Sequence, residues 1–462
     1  MIPAQVPPAL LDALGLVPES AVAFVGAGGK TTAAWRILRA LGGPAFWTTT
    51  THILEPMLPE DVGLLLTEDP TPEGLSGLLR HLPKWVLAAR RAEPFPEPPA
   101  DPYPAHPWRL QGLPPATVDR LIRGLPQASW LIEADGARRR RLKWPAEHEP
   151  ALPTEVDAVV VVAGLEALGR PIREEVHRWE EALRRLGGRP EDPVTPAGLA
   201  ALVSHPEGGG KGIPIGAHRI LLFSSASRFD PEGFEAVLAA LPPEAFHRVV
   251  GMVHGVAVAA RRWKDPRVAA ILLAAGEGRR FGAPKALAPW GERPLVRHGA
   301  ALARRAGLDP IVVVVGAAGD EARRALAGFP VQVVENPAWP EGMSRSIQAG
   351  LEALPPTVEA VVLMQVDQPL VRPRWLRWLV EAYRATGKPI VVSSMDGEPR
   401  PPALFARPMF PALMDLRGDQ GGRSLVRRFP EAVAMVPVPD PTWVLDVDTP
   451  EAYQEALRAA AG

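Results

Sequence analysis

Two spacings of apolar positions alternate along this chain. Short β-branched runs, such as 22–25, 158–163 and 311–315, are apolar at consecutive positions and end at glycine or proline. Consecutive apolar residues mark strands covered on both faces, as in a parallel sheet. Between them lie longer stretches rich in Ala, Leu and Arg, at 31–41, 295–306, 344–354 and 374–385, with helical spacing. The alternation predicts α/β layering. Further strands are predicted at 45–48, 130–134, 220–224 and 249–253, then at 268–273, 331–334, 361–364 and 390–392. The series runs twice, and each time its first strand leads into a glycine-rich loop.

A length of 462 residues exceeds what one core usually holds. Two domains are therefore expected. Residues 1–262 would form a P-loop-like α/β domain, and residues 267–462 a Rossmann-like domain with a mostly parallel sheet. The junction falls in RRWKDPR, 261–267, which interrupts two apolar strands. The halves share a layout without a sequence repeat, so no duplication is inferred. Residues 93–107, rich in proline and acidic groups, read as an extended surface loop. GGGKG at 208–212 follows SHPE rather than a strand, and reads as a plain turn.

Composition narrows the function classes. Apolar residues at 47% and charged residues at 22% describe a globular chain. A formal net charge of −1 supplies no global field to gather nucleic acid, and none is expected as a partner. The absence of cysteine excludes disulfides, thiolate metal sites, iron–sulfur ligation and cysteine nucleophiles. The first residues lack the basic-then-apolar order of a signal peptide. No apolar run reaches the roughly 20 residues of a membrane span, so a cytoplasmic location without a membrane partner is expected.

The second glycine loop, LAAGEGRRFGAPK, spans Leu273 to Lys285. Gly276, Gly278 and Gly282 let backbone N–H groups converge on phosphate oxygens. Arg280 and Lys285 can then hold a triphosphate and offset charge on leaving pyrophosphate. The competing reading is an ordinary strand–helix connection or a dinucleotide turn, but the register does not match GxGxxG. In MQVDQPL, 364–370, Asp367 follows an apolar strand, where ligands of open α/β sheets collect and where a carboxylate suits Mg²⁺. In LDVDTPEAY, 445–453, Asp446 and Asp448 alternate with Val447 and would share one face of extended backbone. Asp448 would meet Asp367 across the metal, with Asp446 as a further ligand or a neighbour of one. Read alone, DTPE is a helix cap.

This combination resembles the MobA-like nucleotidyltransferases, and within them it is similar to the MocA-like molybdenum cofactor cytidylyltransferases. Their loop, LAAGxSxRMGxxK, stands here with Gly278 and Phe281 in place of serine and methionine. Their GDQP reads VDQP, and their DxDTPED reads DVDTPEA. Their NPxWxxGMxxSL reads NPAWPEGMSRSIQAG from Asn336, and GDQGGRSLVRRFP at 418–430 resembles a segment on the acceptor side. One departure is Arg400-Pro401-Pro402, where the family has Gly-His-Pro. The resemblance implies that Leu273, Ala274, Ala275, Asn336, Gly342 and Ser346 help hold the nucleotide. It also implies that Ala275, where guanylyl-transferring relatives have glycine, favours CTP. The implied reaction is attack by a phosphate oxygen of molybdopterin-form molybdenum cofactor on the α-phosphorus of CTP, with Mg²⁺ on Asp367 and Asp448.

The first glycine loop, FVGAGGKTT at 24–32, follows a strand and opens a helix. Gly26, Gly28 and Gly29 can form a nest for phosphate, with Lys30 at the β/γ region, Thr31 on Mg²⁺, and Thr32 completing the motif. Hydroxyls of WTTTTHI, 47–53, either bind substrate or satisfy a turn. In LIEADGARRRRLKWPAEHEP, Glu133 and Asp135 sit at a strand end like an acidic magnesium partner. Arg138 to Arg141 and Lys143 either receive an anionic substrate or form a solvated loop. With AGLEALGRPIREEVHR at 163–178, these motifs resemble the YqeC-like proteins, and Leu142 stands where that family has proline. The resemblance implies an accessory role for selenium-dependent molybdenum hydroxylases, with ATP or another nucleotide bound. A xanthine-dehydrogenase-like hydroxylase is then the expected protein partner. Two rival readings remain: a nucleotidyltransferase using GTP or another phosphorylated acceptor, and a non-catalytic cofactor chaperone.

Overall fold

The computed structural model describes residues 9–92, 105–136, 140–225, 229–262, 266–278 and 280–461. The chain divides into two compact units, Met1–Trp263 and Lys264–Gly462. Of the basic cluster, Arg138 and Arg139 lie outside the described residues, as do 93–104 and the middle of the 261–267 junction.

The strands of the first unit's main sheet are β1 (Ala21–Gly26), β2 (Ala45–Thr49), β3 (Val62–Leu66), β4 (Lys84–Ala88), β5 (Ser129–Glu133), β6 (Ala158–Gly164), β7 (His218–Ser225), β8 (Arg248–Val253) and β9 (Val256–Arg262). Their order across the sheet is β9-β8-β7-β6-β1-β5-β2-β4-β3. All pairs are parallel except β8 with β9. In β6, Ala158, Val160 and Val162 enter one core, and Val159, Val161 and Ala163 the core on the opposite face. That two-sided burial is why the run is apolar at every position. The 93–107 reading is corrected in part, because Ala105–Gln111 is a strand. It pairs antiparallel with His52–Pro56 and Arg90–Ala92, and the ladder satisfies its backbone polar groups. Residues 208–212 are turn, as read.

The second unit's main sheet holds β10 (Val268–Ala274), β11 (Ile311–Val315), β12 (Gln332–Glu335), β13 (Ala360–Gln365), β14 (Ile390–Met395), β15 (Glu398–Ala406) and β16 (Val433–Pro437). Their order is β12-β11-β10-β13-β15-β14-β16. β10, β11, β12 and β13 run parallel, while β15 is antiparallel to both its neighbours. Val268, Ala270 and Leu272 fill one core and Ala269 and Ile271 the other. The chain leaves β10 toward β11 on one side and returns to β13 on the other. The carboxyl end of β10 is therefore a topological switch point, where α/β sheets bind ligands. Among the described residues no helix is long and apolar enough to cross a membrane.

Candidate functional site

The loop after β10 runs along the carboxyl edge of the second sheet. Arg280 is exposed near its tip. Leu273 is half-buried, Ala274 and Ala275 are buried, Gly276 and Gly282 are exposed, and Gly278 turns the chain by accepting the N–H of Phe281 and of Gly282. The loop closes at Lys285. Its ammonium lies 2.5 Å from Oδ2 of Asp367, after β13, and 2.7 Å from Oδ1 of Asp448, before the final helix Pro450–Ala461. Three segments distant in sequence thus converge on one point. Burial opposes the charge on Lys285, but the two carboxylates outweigh it and hold its pKa above the usual lysine value.

The Asp367 turn is fixed from behind. Val447 donates its N–H to the Asp367 carbonyl at 2.8 Å. His298, buried on the helix Leu295–Arg305, lies 2.8 Å from the Pro369 carbonyl through Nε2. Burial pushes the His298 pKa down to about 4, so at neutral pH the ring is uncharged and can donate one N–H to that carbonyl. Gln368 is buried and donates through Nε2 to Asp446 Oδ1 at 2.9 Å and to the Pro401 carbonyl at 3.3 Å. Burial, then repulsion from Asp367 and Asp448, raises the pKa of Asp446 to about 6. Residues 445–448 form no strand, so Asp446 and Asp448 are placed by the Val447 bond and Gln368 rather than by a ladder.

These groups suit a divalent cation. Oδ1 of Asp367 is buried and has no hydrogen-bond partner, and the side chain of Asp448 is half exposed beside it. Among the described residues no three acidic or histidine side chains gather to hold a metal by themselves. Mg²⁺ needs no such cage, because it commonly takes one or two carboxylates together with phosphate oxygens and water.

Asn336 and Ser346 are not presented to solvent. They are 3% and 6% exposed, and Asn336 Nδ2 donates to Ser346 Oγ at 3.0 Å while its Oδ1 accepts from Ala338 N–H. Their visible work is to fasten the 336–346 segment. Gly342 then presses against the 418–422 segment, with Ser344 N–H donating to the Gly418 carbonyl at 3.0 Å. Beside this contact a cavity of about 300 Å³ opens between Leu273, Phe405, Arg400, Asp419, Arg423 and Asp446. Sequence reading found the walls of this cavity separately, at 397–406 and 418–430, but not the cavity. It missed His298, which no spacing rule singles out, and gave no role of its own to Gln368 within VDQP.

In the first unit, the loop after β1 enters the helix Lys30–Ala40. Gly26, Gly28 and Gly29 have φ of 91°, 82° and 119°, a region that L side chains avoid. Lys30 Nζ folds back to the Gly26 carbonyl at 2.5 Å and to Asp135 at 3.0 Å. Asp135 also accepts the Gly26 N–H at 3.0 Å and meets Lys143 at 3.0 Å. Lys143 continues to Glu149 at 3.0 Å, and Glu149 to Arg178 at 2.7 Å. Burial alone would raise the Glu149 pKa, but the Ala146 N–H, Lys143 and Arg178 bring it down to about 2. The acidic neighbour of Thr31 is therefore Glu133, whose Oε2 lies 3.1 Å from the Thr31 hydroxyl, and not Asp135. Two lysines already claim Asp135. Burial raises the Glu133 pKa to about 7. Thr32 is half-buried on the first helical turn. The hydroxyls of Thr48, Thr49 and Thr50 bond to the carbonyls of Leu87, Glu133 and Ala151 and so tie the turn to the sheet. Arg141 pairs with Glu175 at 3.0 Å and Lys143 is buried, so these two members of the basic cluster serve internal ion pairs.

Residues 22–180 match the YqeC protein family, and residues 270–434 match the MobA-like NTP transferase domain. YqeC of Escherichia coli K12 is 32% identical over 227 residues, 48% of this chain and 82% of its own length. This chain joins a YqeC-family unit to a MobA-like NTP transferase unit. Over the MobA-like unit, nicotine blue oxidoreductase of Paenarthrobacter nicotinovorans is 32% identical across 203 residues, 42% of this chain and 97% of that protein. The crystal structure of Rv0371c from Mycobacterium tuberculosis H37Rv is 30% identical, covering 42% of this chain and all of that one, with a TM-score of 0.38.

Proposed function

We propose that the MobA-like unit is a cytidylyltransferase that moves CMP from CTP to molybdopterin-form molybdenum cofactor. The single observation that supports this reading best is the meeting of Lys285, Asp367 and Asp448 at the mouth of the glycine loop. A phosphate oxygen of the acceptor bonds to the α-phosphorus of CTP, the bond to the β-phosphate oxygen breaks, and pyrophosphate leaves. The attacking oxygen is already ionised, so no strong base is required, and catalysis rests on positioning and charge. Backbone N–H groups of the 273–282 loop and the Arg280 guanidinium hold the triphosphate. Lys285 meets the charge that grows on the leaving group. Asp367 and Asp448 would hold Mg²⁺, which supplies neutralisation of phosphate charge when bound. Asp446, kept close by Gln368, supports that pair.

The YqeC-family unit binds ATP or another nucleotide at 26–32. It acts as an accessory in loading a xanthine-dehydrogenase-like molybdenum hydroxylase. The test is pyrophosphate release from purified protein given molybdopterin-form cofactor, Mg²⁺ and either CTP or GTP. Release with CTP that falls at least ~10²-fold in Asp367→Asn is expected. Release with GTP alone replaces the nucleotide in this reading. No release with either, from folded protein and intact cofactor, gives the unit a handling role instead.

A further inference from the structure

The cavity beside the MobA-like loop is lined by an arginine that makes no ion pair among the described residues. Of its two arginines, Arg423 pairs with Glu398 at 2.9 Å. Nε of Arg400 is buried and makes no hydrogen bond within the protein. Nε has no accessible surface, so what an anion in the cavity could meet is the rest of the guanidinium, on a side chain that is partly exposed.

Arg400 is placed there by a local break in the sheet. Between β14 and β15, Val392 faces Ala403, but the next residue, Ser393, faces Arg400. Pro401 and Pro402 are therefore surplus to the ladder. Such bulges re-aim a neighbouring side chain, and prolines tolerate the position because they have no N–H to leave orphaned. The bulge is pinned from both sides. Ser393, fully buried, donates to the Pro402 carbonyl at 2.7 Å and accepts from Trp375 Nε1 at 2.9 Å. Gln368 holds the Pro401 carbonyl with the same amide that reaches Asp446. Arg400 is thus tied, through one glutamine, to the turn that carries Asp367. The remaining wall is largely apolar, with Leu273, Ile347, Leu363 and Phe405.

We infer that Arg400 is an anion anchor in the wall of this cavity, holding the phosphate monoester of the acceptor beside an apolar surface. This rests on the reading of the unit as a nucleotidyltransferase with a phosphorylated acceptor. Asp419 and Asp446 line the same cavity. They repel an entering anion, so without Arg400 the pocket turns phosphate away.

The experiment uses phenyl phosphate as probe and benzyl alcohol as its uncharged counterpart. Each is titrated into the full-length protein with Mg²⁺ and CTP and followed by saturation-transfer NMR. Arg400→Gln should weaken phenyl phosphate at least about tenfold, the scale of a charge-assisted bond. Arg400→Lys should recover part of that loss. Arg423→Gln should stay within about twofold, and benzyl alcohol should be indifferent to Arg400. Unchanged phenyl phosphate binding in Arg400→Gln overturns the inference. So does absence of binding by wild type, or dependence on Arg280 in place of Arg400, which would put the anion in the nucleotide loop. Melting curves of each variant identify any that is unfolded, and Arg400→Lys then carries the comparison. Probe binding is scored without turnover. Arg400-dependent binding with no CMP transfer would sink only the reaction, and transfer without Arg400 dependence would sink only the anchor.

Discussion

Lys285 and Asp367, 82 residues apart in sequence, meet at 2.5 Å between Nζ and Oδ2. The lysine neutralises a carboxylate pair that repels itself. Replacing it with methionine leaves Asp367 and Asp448 facing one another without a cation. Lys285→Met should therefore gain a larger thermal shift from Mg²⁺ than wild type, while pyrophosphate release falls by ~10²-fold or more. Differential scanning fluorimetry with and without Mg²⁺ measures the first, and the release assay the second. A smaller Mg²⁺ shift in the variant would mean that the lysine is not standing in for the metal's charge.

Gly342 has φ of 114°, and a Cβ there would fall 2.3 Å from the carbonyl carbon of Gly418. Gly342→Ala must strain its own backbone and push the 418–422 segment away. A loss of roughly 1–3 kcal/mol in unfolding free energy is expected from such strain. Urea denaturation reads it, and a variant as stable as wild type would show that the two segments move apart freely.

Lys143 is the middle cation of the buried row in the YqeC-family unit, between Asp135 and Glu149. Lys143→Met leaves both carboxylates short of a partner. Breaking a buried pair typically costs about 3–5 kcal/mol. Unfolding of the first unit should shift by that amount while pyrophosphate release by the second is retained. Circular dichroism melts alongside the release assay check both halves.

His298 gives a pH signature. Its pKa in the folded protein is about 4, below the ordinary 6.5. Between those values the unfolded chain binds the proton and the folded one does not. Stability is therefore intact above pH 6.5 and declines as pH falls toward 4, by on the order of 3 kcal/mol. In His298→Asn this part of the acid slope should vanish. Chemical denaturation across that window tests it, and equal slopes in the two proteins would refute the assignment.

Much of this was legible in the residues. The strands buried on both faces, 158–163 and 311–315 among them, announce themselves because every position is apolar. Edge strands such as Val62–Leu66 and Val433–Pro437 are not predicted although both carry short apolar runs, because Leu, Ala and Met suit a helix as well and periodicity alone does not separate the two. The loop motifs and Asp367 could be placed by rule, since glycine and carboxylate after a strand have a stereochemical meaning. Glu133 and Asp135 stand as equals in the sequence, because adjacency cannot tell which of two acids the lysines will claim. The anchoring groups, His298, Gln368 and Ser393, act through backbone carbonyls far along the chain, and no local pattern encodes such a partner.

The row Lys30, Asp135, Lys143, Glu149 and Arg178 alternates in sign along its length, with cations at both ends. Three cations and two carboxylates leave one positive charge over. That surplus belongs to no single residue but to the row as a whole. Reversing the charge of one of its cations, even Arg178 at the far end, would leave one negative charge over in place of the positive one.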